Sequence, residues 1–107
     1  VSVIRTGPLV VDLDRHEVAV NGAPVTINHY RAGTQRQWRL LACLARRIGQ
    51  GVSYQTLATE VLGWPDDGRY ERRNLREIRR RLVANLGTEC DDLIRTVPGW
   101  GFRLEAL

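Results

Sequence analysis

At 107 residues the chain is sized for one domain around one modest core, and a mean hydropathy of −0.30 with 43% hydrophobic residues is that of a soluble globular chain. Its longest apolar run, Leu40 to Ala45, falls far short of the roughly 20 residues that cross a bilayer, and no signal-peptide pattern opens the sequence, so no membrane partner and a cytoplasmic location are expected. The net charge of +4 is unevenly placed: Arg69 to Leu82 holds seven arginines against two glutamates, a net +5, and the rest of the chain carries nine arginines against ten acids, a net −1; such a concentrated stripe is the footprint of a phosphate-backbone partner.

Short strands come first. Leu9, Val11 and Leu13 alternate, Val18 and Val20 do so again, and Asn21-Gly22 between Val20 and Val25 predicts a type I′ hairpin, because both residues tolerate positive φ. From Thr34 the period becomes helical. Trp38, Leu41, Leu44/Ala45 and Ile48 share a face, Thr34 and Gln37 have capping-box spacing, and Gly49 supplies a stop, so the first helix is expected over Thr34 to Ile48. Only Gly49 to Val52 separates it from a second, shorter helix capped by Ser53, with Leu57, Ala58, Val61 and Leu62 apolar and Gly63 then Pro65 ending it.

Asp66 and Asp67 are placed to cap a third helix whose apolar stripe is Leu75, Ile78, Leu82 and Leu86, with Gly87 closing it. At about 100° per residue, that stripe occupies roughly 80° of the helix, and Arg69, Arg72, Arg73, Arg76, Arg79 and Arg80 fill an adjacent arc of roughly 120°. One face anchors the helix and the other presents guanidinium groups, whose planar forks suit phosphate or the O6 and N7 edge of guanine. The bland reading is a solvated basic face with intrahelical pairs, in which Glu77 reaches Arg73, Arg80 and Arg81; two glutamates cannot neutralise seven arginines. After the polar break Thr88 to Asp92, Leu93 to Val97 and Gly101 to Leu104 read as strands joined by Pro98-Gly99, a pair suited to the middle of a type II turn.

The remaining residues offer little chemistry. All sixteen basic residues are arginine, a bias that coding composition also produces, so position rather than number carries the argument. Cys43 and Cys90 have neither metal-ligand nor disulfide spacing and are expected as reduced, unpaired thiols, Cys43 within the core. His16 and His29 lack cysteine or acidic neighbours patterned for a metal, Trp38 lies at a core period, and no phosphate loop or nucleophile motif occurs, so no cofactor, no metal and no enzyme activity are expected. The chain begins with Val and contains no Met, and we expect a single domain over 1–107 taken from a longer polypeptide.

Three stretches in this order, GPLVVDLDRHEVAVNGAPVTI, TQRQWRLLACLARRIGQGVSYQTLATEVLG, and RYERRNLREIRRRLVANLG with LIRTVPGWGFRL, together resemble the OmpR/PhoB-type winged helix-turn-helix domain over nearly the whole length. The ending I-x-T-V-x-G-x-G-F-x-L is the most specific piece. The resemblance implies an α+β fold: an N-terminal antiparallel sheet, three helices and a C-terminal hairpin wing. It implies sequence-specific binding of double-stranded DNA for transcription regulation, with the third helix in the major groove and the wing reaching the neighbouring minor groove.

On this pattern Arg72, Arg73, Arg76 and Glu77 face the groove, and Arg69, Arg79 and Arg80 meet phosphates; Glu77 either accepts from cytosine N4 or orients a neighbouring arginine. The family often carries a basic residue where this chain has Pro98, which shifts the expected wing contact to Arg95 or Arg103, with Trp100 at the tip against sugar or a partner, or simply an exposed hairpin aromatic. Trp64, Asp66 and Asp67 lie in the loop that the resemblance assigns to RNA polymerase, and a capping turn is the plain alternative. The segment Asn28 to Gly33 is extra length without an assigned role. The resemblance further implies an upstream receiver domain in a two-component response regulator and tandem dimers on DNA, with half-sites about one helical turn apart. The principal competing function is a winged helix that docks an acidic protein through the arginine face, with Trp64 or Trp100 as anchor; double-stranded RNA fits less well, because the A-form major groove does not admit a helix.

Overall fold

The computed structural model describes residues 3–25, 27, 32–63 and 72–107, and the elements follow the order of a sheet, three helices and a hairpin. β1 (Val3–Thr6), β2 (Leu9–Asp12), β3 (Glu17–Val20) and β4 (Ala23–Val25) form an antiparallel meander in chain order. Leu9 pairs with Val20 and Val11 with Val18, so the alternating apolar residues of two strands meet on one buried face. Asn21 and Gly22 have φ of 53° and 79°, as a type I′ turn requires, and Val20 pairs with Ala23 across them. β2 stops at Asp12, whose Oδ1 accepts from the Asp14 and Arg15 amides, so Leu13 turns out of the ladder.

β1 has no counterpart in the sequence reading, since its buried residue is Thr6 rather than an apolar one. Thr6 Oγ1 donates to the Glu105 carbonyl and accepts from the Leu107 amide at 3.1 Å, tying the first strand to the end of the chain.

α1 spans Ala32–Arg46, two residues earlier at both ends than the spacing predicts. Thr34 is therefore helical and cannot be an N-cap, and Gln37 sits in the interior, 5% exposed, where its Oε1 accepts from Asn85 Nδ2. Leu40 through Ala45 are all buried, so α1 is covered nearly all round and forms the centre of the core rather than a surface helix with one apolar stripe. Trp38 is buried and stacks on His16 of the β2–β3 turn, ring centroids 4.8 Å apart, a packing role.

Between the first two helices lies a strand, β5 (Gly51–Ser53), where the sequence suggests only a linker. It pairs with β7 (Gly101–Leu104), which in turn pairs with β6 (Ile94–Val97), giving a second antiparallel sheet of order β5-β7-β6. Ser53 ends β5 and caps α2 (Tyr54–Leu62), its side chain accepting from the Thr56 amide at 3.2 Å. Gly63 closes α2 in the left-handed region at φ 72°. α3 (Arg72–Leu86) buries Leu75, Ile78, Leu82 and Leu86, the predicted stripe, against α1 and α2. A short 3-10 turn over Thr88–Cys90 leads into β6, and Trp100 N donates to Val97 O at 3.0 Å around Pro98 and Gly99 (φ 72°), the expected type II turn.

Cys43 and Cys90 are both unpaired thiols and buried. Cys43 is more than apolar filling: its Sγ donates to Glu60 Oε2 at 3.1 Å, and Arg47 bridges the same carboxylate at 3.0 Å, joining α1 to α2. Among the described residues no helix is long and apolar enough to cross a membrane.

Candidate nucleic-acid interface

Anchoring its apolar stripe divides the rest of α3 into three arcs. Toward the second sheet lie Arg72 and Arg79, toward α1 lie Asn74, Arg81 and Asn85, and between them Arg73, Arg76, Arg80 and Glu77 face outward. Neither Arg73 nor Arg76 has a hydrogen bond or ion pair among the described residues, and both are exposed. These two guanidinium groups stand on the side of α3 turned away from its buried stripe.

The other arginines are engaged. Arg72 lies over the Tyr54 ring at 5.1 Å, and Tyr54 meets Phe102 of β7 edge to face at 5.5 Å. Arg79, assigned to phosphate by the family pattern, is half-buried: Nη2 donates to the Ile94 carbonyl at 2.6 Å, its guanidinium stands 5.9 Å from the Phe102 centroid, and Nε is buried without a hydrogen-bond partner. It braces α3 against the root of the hairpin. Arg80 binds Glu77 through two hydrogen bonds, and Arg81 Nε reaches the same carboxylate at 3.2 Å. Chiefly the hydrogen bonds from Arg80, with those from Arg81 helping, hold the Glu77 carboxyl down to about 2, so it is ionised at neutral pH.

Arg95 and Arg103 are register partners on β6 and β7 and share Glu105, at 3.8 and 2.7 Å. Both stand at the root of the hairpin rather than at its tip. Trp100 is 54% exposed; its indole borders Gly51, where an added Cβ would sit 3.4 Å from the ring, and its carbonyl accepts from Tyr54 N at 2.7 Å. Trp64, Asp66, Asp67 and Arg69 lie outside the described residues, as do Asn28 to Arg31 of the extra segment, whose last two residues open α1.

Residues that the sequence left unassigned complete the surroundings. Tyr54 and Phe102 form the aromatic floor under Arg72 and Arg79. Arg36 of α1 joins Asn74, Glu77, Ile78 and Arg81 around a cleft of about 180 Å³ beside the outward arc. The T-shaped pair is invisible to periodicity because the two rings are half a chain apart.

Three helices with α3 exposed, flanked by a hairpin that pairs with a strand between α1 and α2, define a winged helix-turn-helix module. The profile of the family "Transcriptional regulatory protein, C terminal" matches residues 29–104, and the chain belongs to that family. A curated relative, the DNA-binding dual master transcriptional regulator RpaA of Synechocystis sp., is 31% identical over 105 residues; the match covers 96% of this chain and 40% of that protein. The Klebsiella pneumoniae RstA DNA-binding domain, solved in complex with the RstA box, is similar with a TM-score of 0.76 at 23% identity, covering 98% of each chain. The response regulator DrrB of Thermotoga maritima also reaches a TM-score of 0.76, at 17% identity over 98% of this chain and 45% of its own.

Proposed function

We propose that the chain binds double-stranded DNA with sequence preference and regulates transcription, with α3 in the major groove. The observation that carries this reading is the pair of uncommitted, exposed guanidinium groups of Arg73 and Arg76 on the outward arc. A helix anchored along one stripe fits the groove, and these two side chains reach base edges there, while Arg80 stands between them bound to Glu77 and Arg69 belongs with the phosphate contacts. Membership of a transcription-regulator family favours DNA over an acidic protein partner.

On the same reading the domain is the output half of a longer response regulator, paired as tandem copies on direct repeats and touching RNA polymerase through the loop that contains Trp64, Asp66 and Asp67. The wing contributes Trp100 at its turn, and Arg95 and Arg103 lie behind it.

Binding to random and to selected duplex DNA over a salt series tests the reading. The expected result is a log K that falls linearly with log salt, steeper with each phosphate neutralised; no binding, or binding indifferent to salt, rejects it. Arg76→Ala distinguishes the contacts. Loss of a phosphate contact lowers the slope by about 0.9, whereas loss of a base contact costs roughly 1–3 kcal/mol and relaxes preference at one position. An unchanged affinity and preference removes Arg76 from the groove.

A further inference from the structure

Glu77 is the one acidic side chain within Arg72–Leu86, and it stands at the edge of the arc that the proposed function turns toward DNA. It binds Arg80 with both oxygens and Arg81 with one, yet the three side chains remain 42%, 68% and 60% exposed. These contacts are held in solvent, not in the core. The two free oxygens of a backbone phosphate offer arginine a fork like that of the Glu77 carboxylate, so the two compete for the same donors. Arg73 and Arg76, on the same arc, have no such competitor among the described residues.

Non-specific complexes draw nearly all their free energy from neutralised phosphates, whereas a matched site adds base contacts. We propose that Glu77 is a specificity-determining residue: its carboxylate occupies Arg80 and Arg81 in place of phosphate, withholding two cations from non-specific DNA while leaving Arg73 and Arg76 free to read a matched groove. The inference rests on the DNA-binding reading above. In the matched complex the Glu77 clamp stays closed and Arg73 and Arg76 supply the discrimination. On random DNA the protein meets a face with two of its cations already satisfied.

The test compares wild type, Glu77→Gln and Glu17→Gln on random and on selected duplexes across a salt series. Glu17→Gln, at an exposed position of β3, removes the same charge away from α3. Glu77→Gln is expected to raise random-duplex affinity by about threefold to tenfold and to steepen the salt slope by about 0.9 for each arginine released, with a smaller gain on the selected duplex. Glu17→Gln is expected to do less on both counts. Arg80→Ala in each background completes a double-mutant cycle, and its cost on random DNA is expected to be larger beside Gln at position 77. Additive effects in the cycle, an equal gain from Glu17→Gln, or lost preference at one base pair with no gain on random DNA each overturn the inference while leaving DNA binding intact. Failure of wild type to bind any duplex removes the reading beneath it.

Discussion

A Cβ built on Gly101 lies 1.7 Å from the carbonyl oxygen of Val52, in the backbone of the neighbouring strand, so β5 and β7 approach as closely as they do only because that side chain is absent. Gly101→Ala is expected to lower stability by about 3 kcal/mol, read as a drop in urea midpoint, because no side chain can move aside to relieve a backbone clash. The glycine was legible as part of the ending motif, and the reason for it was not, since the strand it faces lies between the helices. Arg79 shows the reverse situation. At about 100° per residue it falls roughly 20° from Leu86, at the margin of the apolar stripe, and that position alone separates it from Arg73 and Arg76 farther round the helix. Counting arginines along the arc hides the distinction; asking how far each stands from the stripe reveals which one packs inward onto Phe102 and Ile94.

Among the elements, the strongly periodic ones were readable from sequence and the pairing-dependent ones were not. The stripe of α3, the Ser53 cap and the Asn21-Gly22 turn follow from residues close together in the chain. β5 is three residues long and exists only because β7 lies beside it, and Gln37 of α1 meets Asn85, far along the chain, rather than the helix's own N-terminus. The contact between α1 and α2 carries a pH signature. Burial first, and then the hydrogen bond to Glu60, push the Cys43 thiol from an ordinary 9.0 up to about 12. The folded state therefore holds this proton more tightly than the unfolded state, and the associated stability, complete below pH 9.0, is expected to be lost as pH rises through about 12. Urea midpoints measured across that range should fall more steeply for wild type than for Cys43→Ala; equal slopes would assign the alkaline loss to other groups.

For the whole molecule, the resemblance carried by three stretches and the ending motif, in agreement with the order of sheet, helices and hairpin, placed the chain among winged helices, and the comparisons bear out that fold and the transcription-regulator family. The candidate interface was only half visible. Charge located the helix, but its division into free, clamped and bracing arginines depends on Tyr54, Phe102, Ile94 and Glu77, which no charge count includes.

The contact between Thr6 and Glu105 joins residues 99 apart in sequence, and that between Thr6 and Leu107 joins residues 101 apart. Closing so large a loop carries an entropic cost, so these bonds are expected to form after the helices and hairpin have found one another. The order of assembly follows from that. Thr6→Val, which keeps the shape and removes the hydroxyl, is expected to cost about 1 kcal/mol and to appear almost wholly as faster unfolding, with the refolding rate unchanged. A slower refolding rate in stopped-flow would instead place the clasp early. On this expectation Glu105 and Leu107 form with Thr6 a latch that is set late, so that the lifetime of the native state, rather than the speed of reaching it, depends on it.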